Sequence, residues 1–181
     1  MVLPTDQGRP RRRLQRVAAL LRRYPALGTT VQRAVRLIQP CFTAGVVGVL
    51  RDPQCQRVLL VEHVYHARTP WGLPGGWMNR GEDPSRTIER EFAEETGLRV
   101  RAVRPLLVML GTKWHRHLDI VFLVEPVEPE QSIRLCDELL SYRWASADDL
   151  PPLVNLHRHA IELALQDGSA AMRRAGETEH I

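Results

Sequence analysis

The sequence predicts an α/β domain in which helices cover both faces of a mixed sheet, and three observations carry that prediction. Apolar stretches of strand length, at residues 42–50, 57–62, 99–110, 117–125 and 140–145, stand on both sides of one acidic helix. A second amphipathic helix follows the last of them at 154–166. Proline, glycine and aspartate separate nearly every pair of these segments. With 181 residues, 44% of them hydrophobic, the chain has material for one substantial core and an appendage, whereas two full domains would be cramped. We divide it into a basic helical N-terminal extension (1–40), an α/β domain (41–170) and a C-terminal tail (171–181).

The extension carries nine arginines against one acid, Asp6, a balance of +8 in a protein of net charge +4, so the remainder is acidic at −4. Leu14, Val17, Ala18 and Leu21 follow helical spacing up to Pro25, and a second helix starts near Thr30 with Val31, Ala34, Val35 and Ile38 on one side. Disorder is expected up to about Arg13. Such a basic amphipathic segment serves an anionic membrane, a nucleic acid or a partner subunit, or simply packs on the core with its arginines in solvent.

Residues 42–50, FTAGVVGVL, are rich in β-branched and small residues and read as a strand. Arg51-Asp52-Pro53-Gln54 turns the chain, and 57–62, RVLLVE, is the expected hairpin partner. His63, Tyr65 and His66 enter a loop. Between Gly72 and Gly81, five glycines and prolines exclude an ordinary helix or central strand and predict a loop that bends tightly or approaches a ligand closely.

Asp83-Pro84 then supplies a helix N-cap and first position, and Gly97 a C-terminal stop, so 84–96 is one helix. Glu91, Glu94 and Glu95 at i, i+3 and i+4 share one face of it, with Ile88 and Phe92 on another. Like charges at that spacing cost an isolated helix about 0.2–0.5 kcal/mol per pair, so stability alone gives no reason to gather them. A hard divalent cation such as Mg²⁺ gives one.

Beyond the helix, 99–110 reads as a strand or a bent strand pair kinked near Pro105, and 111–116 as a loop. After the strand 117–125, a proline-broken connection at 126–139 brings Asp137 and Glu138 to the start of the strand 140–145. Asp148-Asp149 has helix-start character, and Gly168 is expected to stop the terminal helix. Cys41, Cys55 and Cys136 are too few and too scattered for a disulfide framework or a zinc site and read as reduced packing residues. Lys113 is the only lysine. No apolar run is long enough to span a membrane and no secretory signal is apparent, so a cytosolic protein is expected.

From Gly76 the chain runs glycine, five residues, Glu82, seven residues, then Arg90-Glu91-Phe92-Ala93-Glu94-Glu95-Thr96-Gly97-Leu98. This resembles the Nudix box, GX5EX7REUXEEXGU, position for position, with Phe92 an aromatic at a position usually aliphatic. The resemblance implies an α/β/α sandwich and hydrolysis of a nucleoside diphosphate linked to another moiety, such as a nucleoside triphosphate, nucleotide sugar or nucleotide alcohol, with Mg²⁺ or Mn²⁺. It places Glu91, Glu94 and Glu95 on the metal-binding positions, with Glu82 and the Gly75 carbonyl as further candidates and Arg90 orienting the carboxylates. The general base stays open. Glu91 is the first choice, Glu138 resembles by position the glutamate that some members carry outside the box, and Asp119 and Asp137 are weaker candidates.

Substrate contacts are expected at Gly76 and in the cluster Lys113, Trp114, Arg116, which combines charge with an aromatic plane. The proline and tyrosine that mark some adenosine-diphosphoribose and diadenosine-polyphosphate members are replaced near Trp114 and Arg116, and the NADH-type SQPWPFP continuation and a coenzyme A motif are absent. Expected partners are the nucleotide substrate and a second copy in a homodimer. The alternative from another class is a Nudix-fold module that binds nucleotide or nucleic acid without turnover.

Overall fold

Both edges of the strand Thr43–Leu50 (β1) are occupied by partners from distant parts of the chain, and this arrangement organises the domain. The computed structural model describes residues 12–52, 56–111 and 116–178. β1 runs parallel to His117–Pro126 (which we number β6), from Thr43 opposite His117 to Leu50 opposite Val124. Its other edge pairs antiparallel with Gly75–Trp77 (β4), and Val100–Leu110 (β5) lies antiparallel beyond β6. The result is a four-stranded mixed sheet of order β4-β1-β6-β5. A second, antiparallel sheet has the order β3-β2-β7, formed by Trp71–Gly72, Arg57–His63 and Leu139–Ser146.

Alternation along the strands sends side chains to two helices. Val46, Leu50 and Val124 pack with Ile88 and Phe92 of the helix Pro84–Thr96 (α3). Val49, Val121 and Leu123 pack with Ala160, Ile161 and Ala164 of the helix Asn155–Thr178 (α4). The expected α/β/α layering with a mixed sheet is therefore present. α3 has the predicted bounds: the Asp83 carboxylate accepts from the Ser85 N–H at 3.0 Å, and Gly97 takes the left-handed conformation at φ 70°.

Several expectations are corrected. β1 and β2 do not form a hairpin. Among the described residues only an isolated bridge, Arg51 to Val58, links that region, because β4 and β6 already fill both edges of β1. The glycine-rich segment contains two short strands, since a glycine bordering a sheet keeps its ladder hydrogen bonds even without a side chain to pack. α4 continues through Gly168 to Thr178. Glycine costs a helix interior only about 1 kcal/mol relative to alanine and ends a helix where it turns left-handed. Finally, Cys41 is exposed, not packed, while Cys136 is half-buried and Cys55 lies outside the described residues.

β5 keeps its kink, with register shifts between Ala102 and Arg104 and between Pro105 and Leu107. A single 3-10 turn, Ala147–Asp149, follows β7. The chain divides between Cys41 and Phe42 into two units. The first consists of Arg12–Arg23 (α1) and Pro25–Ile38 (α2), whose proline occupies the first helical turn, so α2 starts earlier than Thr30. Arg12 and Arg13, expected to be disordered, open α1, and residues 1–11 lie outside the described residues. Among the described residues no helix is long and apolar enough to cross a membrane.

Candidate functional site

Arg90 is the centre of the acidic site. Its Nε and Nη2 donate to the two oxygens of Glu82 at 2.9 and 3.0 Å, Nη1 donates to Glu91 at 2.8 Å and Glu94 at 2.9 Å, and Nη2 also reaches the Trp77 carbonyl at 3.2 Å. One guanidinium thus ties the loop before α3 to the exposed end of β4 and to two carboxylates of the helix. A planar fork of five donors suits that task where a lysine ammonium would not. Glu82 also accepts from the Asn79 N–H at 3.0 Å. These bonds, the Arg90 one foremost, hold the Glu82 carboxyl down at about 2, and Arg90 is raised in turn.

The other carboxylates are displaced the opposite way. Burial pushes Glu91 up, against the pull of Arg90. Burial pushes Glu95 to about 8, with the charges of Glu91, Glu138 and Glu94 adding to it, although the Gly75 N–H donates to its carboxylate at 2.8 Å. Two glycines make this crowding feasible. Gly75 has φ 152°, and a Cβ there would stand 2.2 Å from the Val46 carbonyl oxygen. At Gly76 a Cβ would stand 2.5 Å from the Glu91 carboxyl carbon.

Among the described residues no three His, Cys, Asp or Glu side chains already stand in a ready-made metal-ligand set. Arg90 explains this, since it holds Glu82, Glu91 and Glu94, and Glu95 is turned to Gly75. The donor chemistry still fits a hard divalent cation. The side-chain donors are all carboxylates, and the burial and mutual repulsion that raise Glu91 and Glu95 are costs that a bound cation would offset. Glu94, 60% exposed, has room to turn.

Glu138 is exposed, just before β7, and its carbonyl accepts from the Val64 N–H at 3.0 Å; its charge acts on Glu95. Asp137 is likewise exposed. Asp119 lies elsewhere, in a cleft of about 910 Å³. That cleft is bounded by Trp77, the end of β5, His117 and Asp119 of β6, and Asn155, Leu156 and His157 at the start of α4. Because side chains alternate along β4, Gly76 faces Glu91 on the α3 side while Trp77 faces the cleft.

The His117 ring is held in place: its Nδ1 is 2.9 Å from the Thr43 hydroxyl, its Nε2 is 3.3 Å from the Asp119 carboxylate, and its centroid is 4.8 Å from that of Trp77. His157 accepts from the Leu73 N–H at 3.2 Å and is pushed down to about 4, first by burial and then by the charges of His63 and His66. His63 is likewise pushed down to about 4, by burial and then by the charge of His66.

Of the expected substrate contacts, Gly76 is at the acidic site. Arg116 is exposed, with its carbonyl accepting from the Thr43 N–H at 2.9 Å, and Lys113 and Trp114 lie outside the described residues. Trp77, Asn155 and His157 were not expected as cleft residues. Trp77 had a usable signal, a large aromatic directly after Gly75-Gly76; the residues of α4 had none, since only tertiary packing brings them there.

Among solved structures, the chain is similar to an ADP-ribose pyrophosphatase from Streptococcus suis, with TM-score 0.58 and 23% identity over 71% of this chain and 92% of that one. A NUDIX hydrolase from Nitrosomonas europaea gives TM-score 0.61 at 16% identity, covering 71% and 73%. Both likenesses show the fold alone. By sequence, the chain is 31% identical to the CMP-5'-(N-acetyl-N-hydroxy-3-aminopropyl)phosphonate hydrolase of Streptomyces rubellomurinus, over 63% of this chain and 57% of the relative. It is 30% identical to the NAD-capped RNA hydrolase NudC of an Enterobacter species, over 64% and 42%. With the human 8-oxo-dGDP phosphatase NUDT18 the identity is 32%, over 67% and 38%. The matched region thus spans only about 38–57% of the length of these three curated relatives. Residues 42–164, well over half of the chain, match the NUDIX domain family, and with the box, the α/β/α layers and the carboxylate site in place, this protein belongs to the Nudix hydrolases.

Proposed function

We propose that the protein hydrolyses a pyrophosphate bond in a nucleoside diphosphate linked to another moiety, using a divalent cation held by Glu91, Glu94 and Glu95, with Glu82 and the Gly75 carbonyl as further donors. The observation that carries this reading is the close approach of Gly76 to the Glu91 carboxyl, with Arg90 binding Glu82, Glu91 and Glu94 at once. Bound there, Mg²⁺ or Mn²⁺ would supply neutralisation of the phosphate oxygens and a more acidic attacking water. Water attacks one phosphorus, a new P–O bond forms, and the bridging P–O bond breaks with its electron pair leaving on the second phosphate. Glu91 takes the proton from that water, with Glu138 as the other candidate base. Arg90 keeps Glu91 and Glu94 oriented.

The cleft provides the nucleoside side of the reaction. Trp77 offers an exposed ring for stacking, with Asp119 and Asn155 as polar groups alongside. Since Gly76 and Trp77 face opposite ways on an edge strand, a substrate whose base lies in the cleft passes its phosphates around β4 to the carboxylates. The three relatives are named for different substrates, a CMP-linked phosphonate, NAD-capped RNA and 8-oxo-dGDP, and the missing SQPWPFP continuation gives no support to an NAD-linked substrate here.

The test is a chromatographic screen for the mononucleotide and phosphomonoester or pyrophosphate products from nucleoside triphosphates, nucleotide sugars, CDP-alcohols, dinucleoside polyphosphates and capped RNA, with Mg²⁺ and with Mn²⁺. Turnover of at least one member, lost with EDTA and in Glu94→Gln, is the expected result. Activity indifferent to both sinks the metal mechanism, and binding without turnover of any member moves the assignment to a nucleotide-binding module.

A further inference from the structure

We propose that the N-terminal helical unit is a docking surface for anionic lipid, so that the protein works while lying on a membrane. α1 and α2 each leave an apolar stripe open to solvent. On α1 it is Val17, Leu20 and Tyr24 just past the helix end, 52%, 49% and 53% exposed, spaced i, i+3 and i+7. On α2 it is Val31, Val35 and Ile38, spaced i, i+4 and i+7, with Ile38 83% and neighbouring Leu37 88% exposed. Residues at those spacings share one helix face. Arg16 and Arg23 are exposed on one side of the α1 stripe, about 40° and 60° around the helix from Leu20, while Arg22 is exposed on the opposite face.

Charge selects the occupant. Residues 1–40 hold nine arginines and one acid, a strong attraction to an anionic surface and a strong repulsion between two copies of the unit. A nucleic acid would satisfy the arginines but leave the open leucine, isoleucine and valine side chains unused. A headgroup layer takes both: arginines reach up to the phosphates while the apolar stripe enters the acyl boundary. Helices of 12 and 14 residues are too short to span and suit a position in the interface plane.

The experiment is flotation of the full chain with vesicles of phosphatidylcholine alone, and of phosphatidylcholine with about one third phosphatidylglycerol, at physiological and high salt. Co-flotation with the anionic vesicles only, weakened by salt, is expected. Arg16→Gln with Arg23→Gln is expected to lower partitioning by about 25-fold, at about fivefold per arginine. Leu20→Ser with Ile38→Ser is expected to lower it by about tenfold or more. Circular dichroism and unchanged hydrolysis in these variants exclude a folding defect. Absence from anionic vesicles, equal binding to neutral ones, insensitivity to both double variants, or capture by duplex RNA or DNA in place of vesicles each overturns the proposal. A dimer that forms through this unit and excludes vesicles does so as well.

Discussion

Gly76→Ala separates the two reasons a glycine can stand in this loop. The backbone at Gly76 has an ordinary negative φ, so alanine costs no strain there and reduces the freedom of the unfolded chain, a gain of about 0.4–1 kcal/mol where nothing else is disturbed. What the new methyl meets is the Glu91 carboxyl, at 2.5 Å from its carbon and 2.5 and 2.6 Å from its oxygens. Restoring ordinary contact requires the carboxylate to retreat by about 1 Å, which pulls on its 2.8 Å bond to Arg90. A misplacement of about 1 Å at a reacting centre costs about 10²-fold, or about 2.7 kcal/mol of transition-state stabilisation. Gly75→Ala is the control with the opposite balance, because its methyl would meet main-chain atoms, at 2.2 Å from Val46 O and 2.6 Å from Val47 Cα, at φ 152°. We therefore expect Gly76→Ala to keep its urea midpoint within about 1 kcal/mol of the parent while kcat/KM falls about 100-fold. Gly75→Ala is expected to unfold at markedly lower urea. A Gly76→Ala enzyme with parental kcat/KM and parental Mg²⁺ affinity refutes the placement of Glu91 at the reacting centre.

Removal of the cation is readable without turnover: Mg²⁺ at about 100 times its Kd is expected to stabilise the protein by about 2.7 kcal/mol in a thermal melt, and EDTA or Glu95→Gln to abolish the gain. Arg90→Lys loses a fork that reaches Glu82, Glu91, Glu94 and the Trp77 carbonyl, so kcat/KM is expected to fall about tenfold or more and stability by about 1–3 kcal/mol, both checked on one preparation; parental values for both refute the role of Arg90. His157, at about 4 in the fold and 6.5 as a free side chain, takes up its proton first in the unfolded chain. Its share of stability is therefore complete above pH 6.5 and lost as pH falls toward 4, about 3 kcal/mol in all, with His63 acting in the same direction. Urea midpoints between pH 7.5 and 4.5 are expected to follow that slope in the parent and flatten in His157→Phe, which also loses about 1–3 kcal/mol throughout because the Leu73 N–H is left without its acceptor. An unchanged slope in that variant excludes His157 as its source.

The helix that bears the carboxylates was legible because its signals are local. Asp83, Pro84 and Gly97 act on their immediate neighbours, and the face shared by Glu91, Glu94 and Glu95 follows from the helical repeat. Strand pairing carries no such signal. Residues 57–63 are equally good strand formers beside β1 or in the second sheet, and only the competition of β4 and β6 for the edges of β1 decides between them. The cleft is illegible for the same reason, since Trp77, His117 and His157 lie far apart along the chain and meet through the packing of α4 on the sheet. Between these extremes stands Arg90. Its i, i+4 relation to Glu94 is visible along the helix, but its bidentate hold on Glu82 depends on how the loop folds back. That hold changes the reading of the acidic face. The carboxylates are not held as a cage: three of them share one guanidinium, and Glu95 is turned to Gly75. Glu82, whose carboxyl is held down at about 2, keeps its charge and its arginine, whereas exposed Glu94, on a single arginine contact at 2.9 Å, is the member that can turn away. Under the proposed function, a cation held by Glu91, Glu94 and Glu95 would draw Glu94 away from Arg90, which would keep its hold on Glu82 and Glu91.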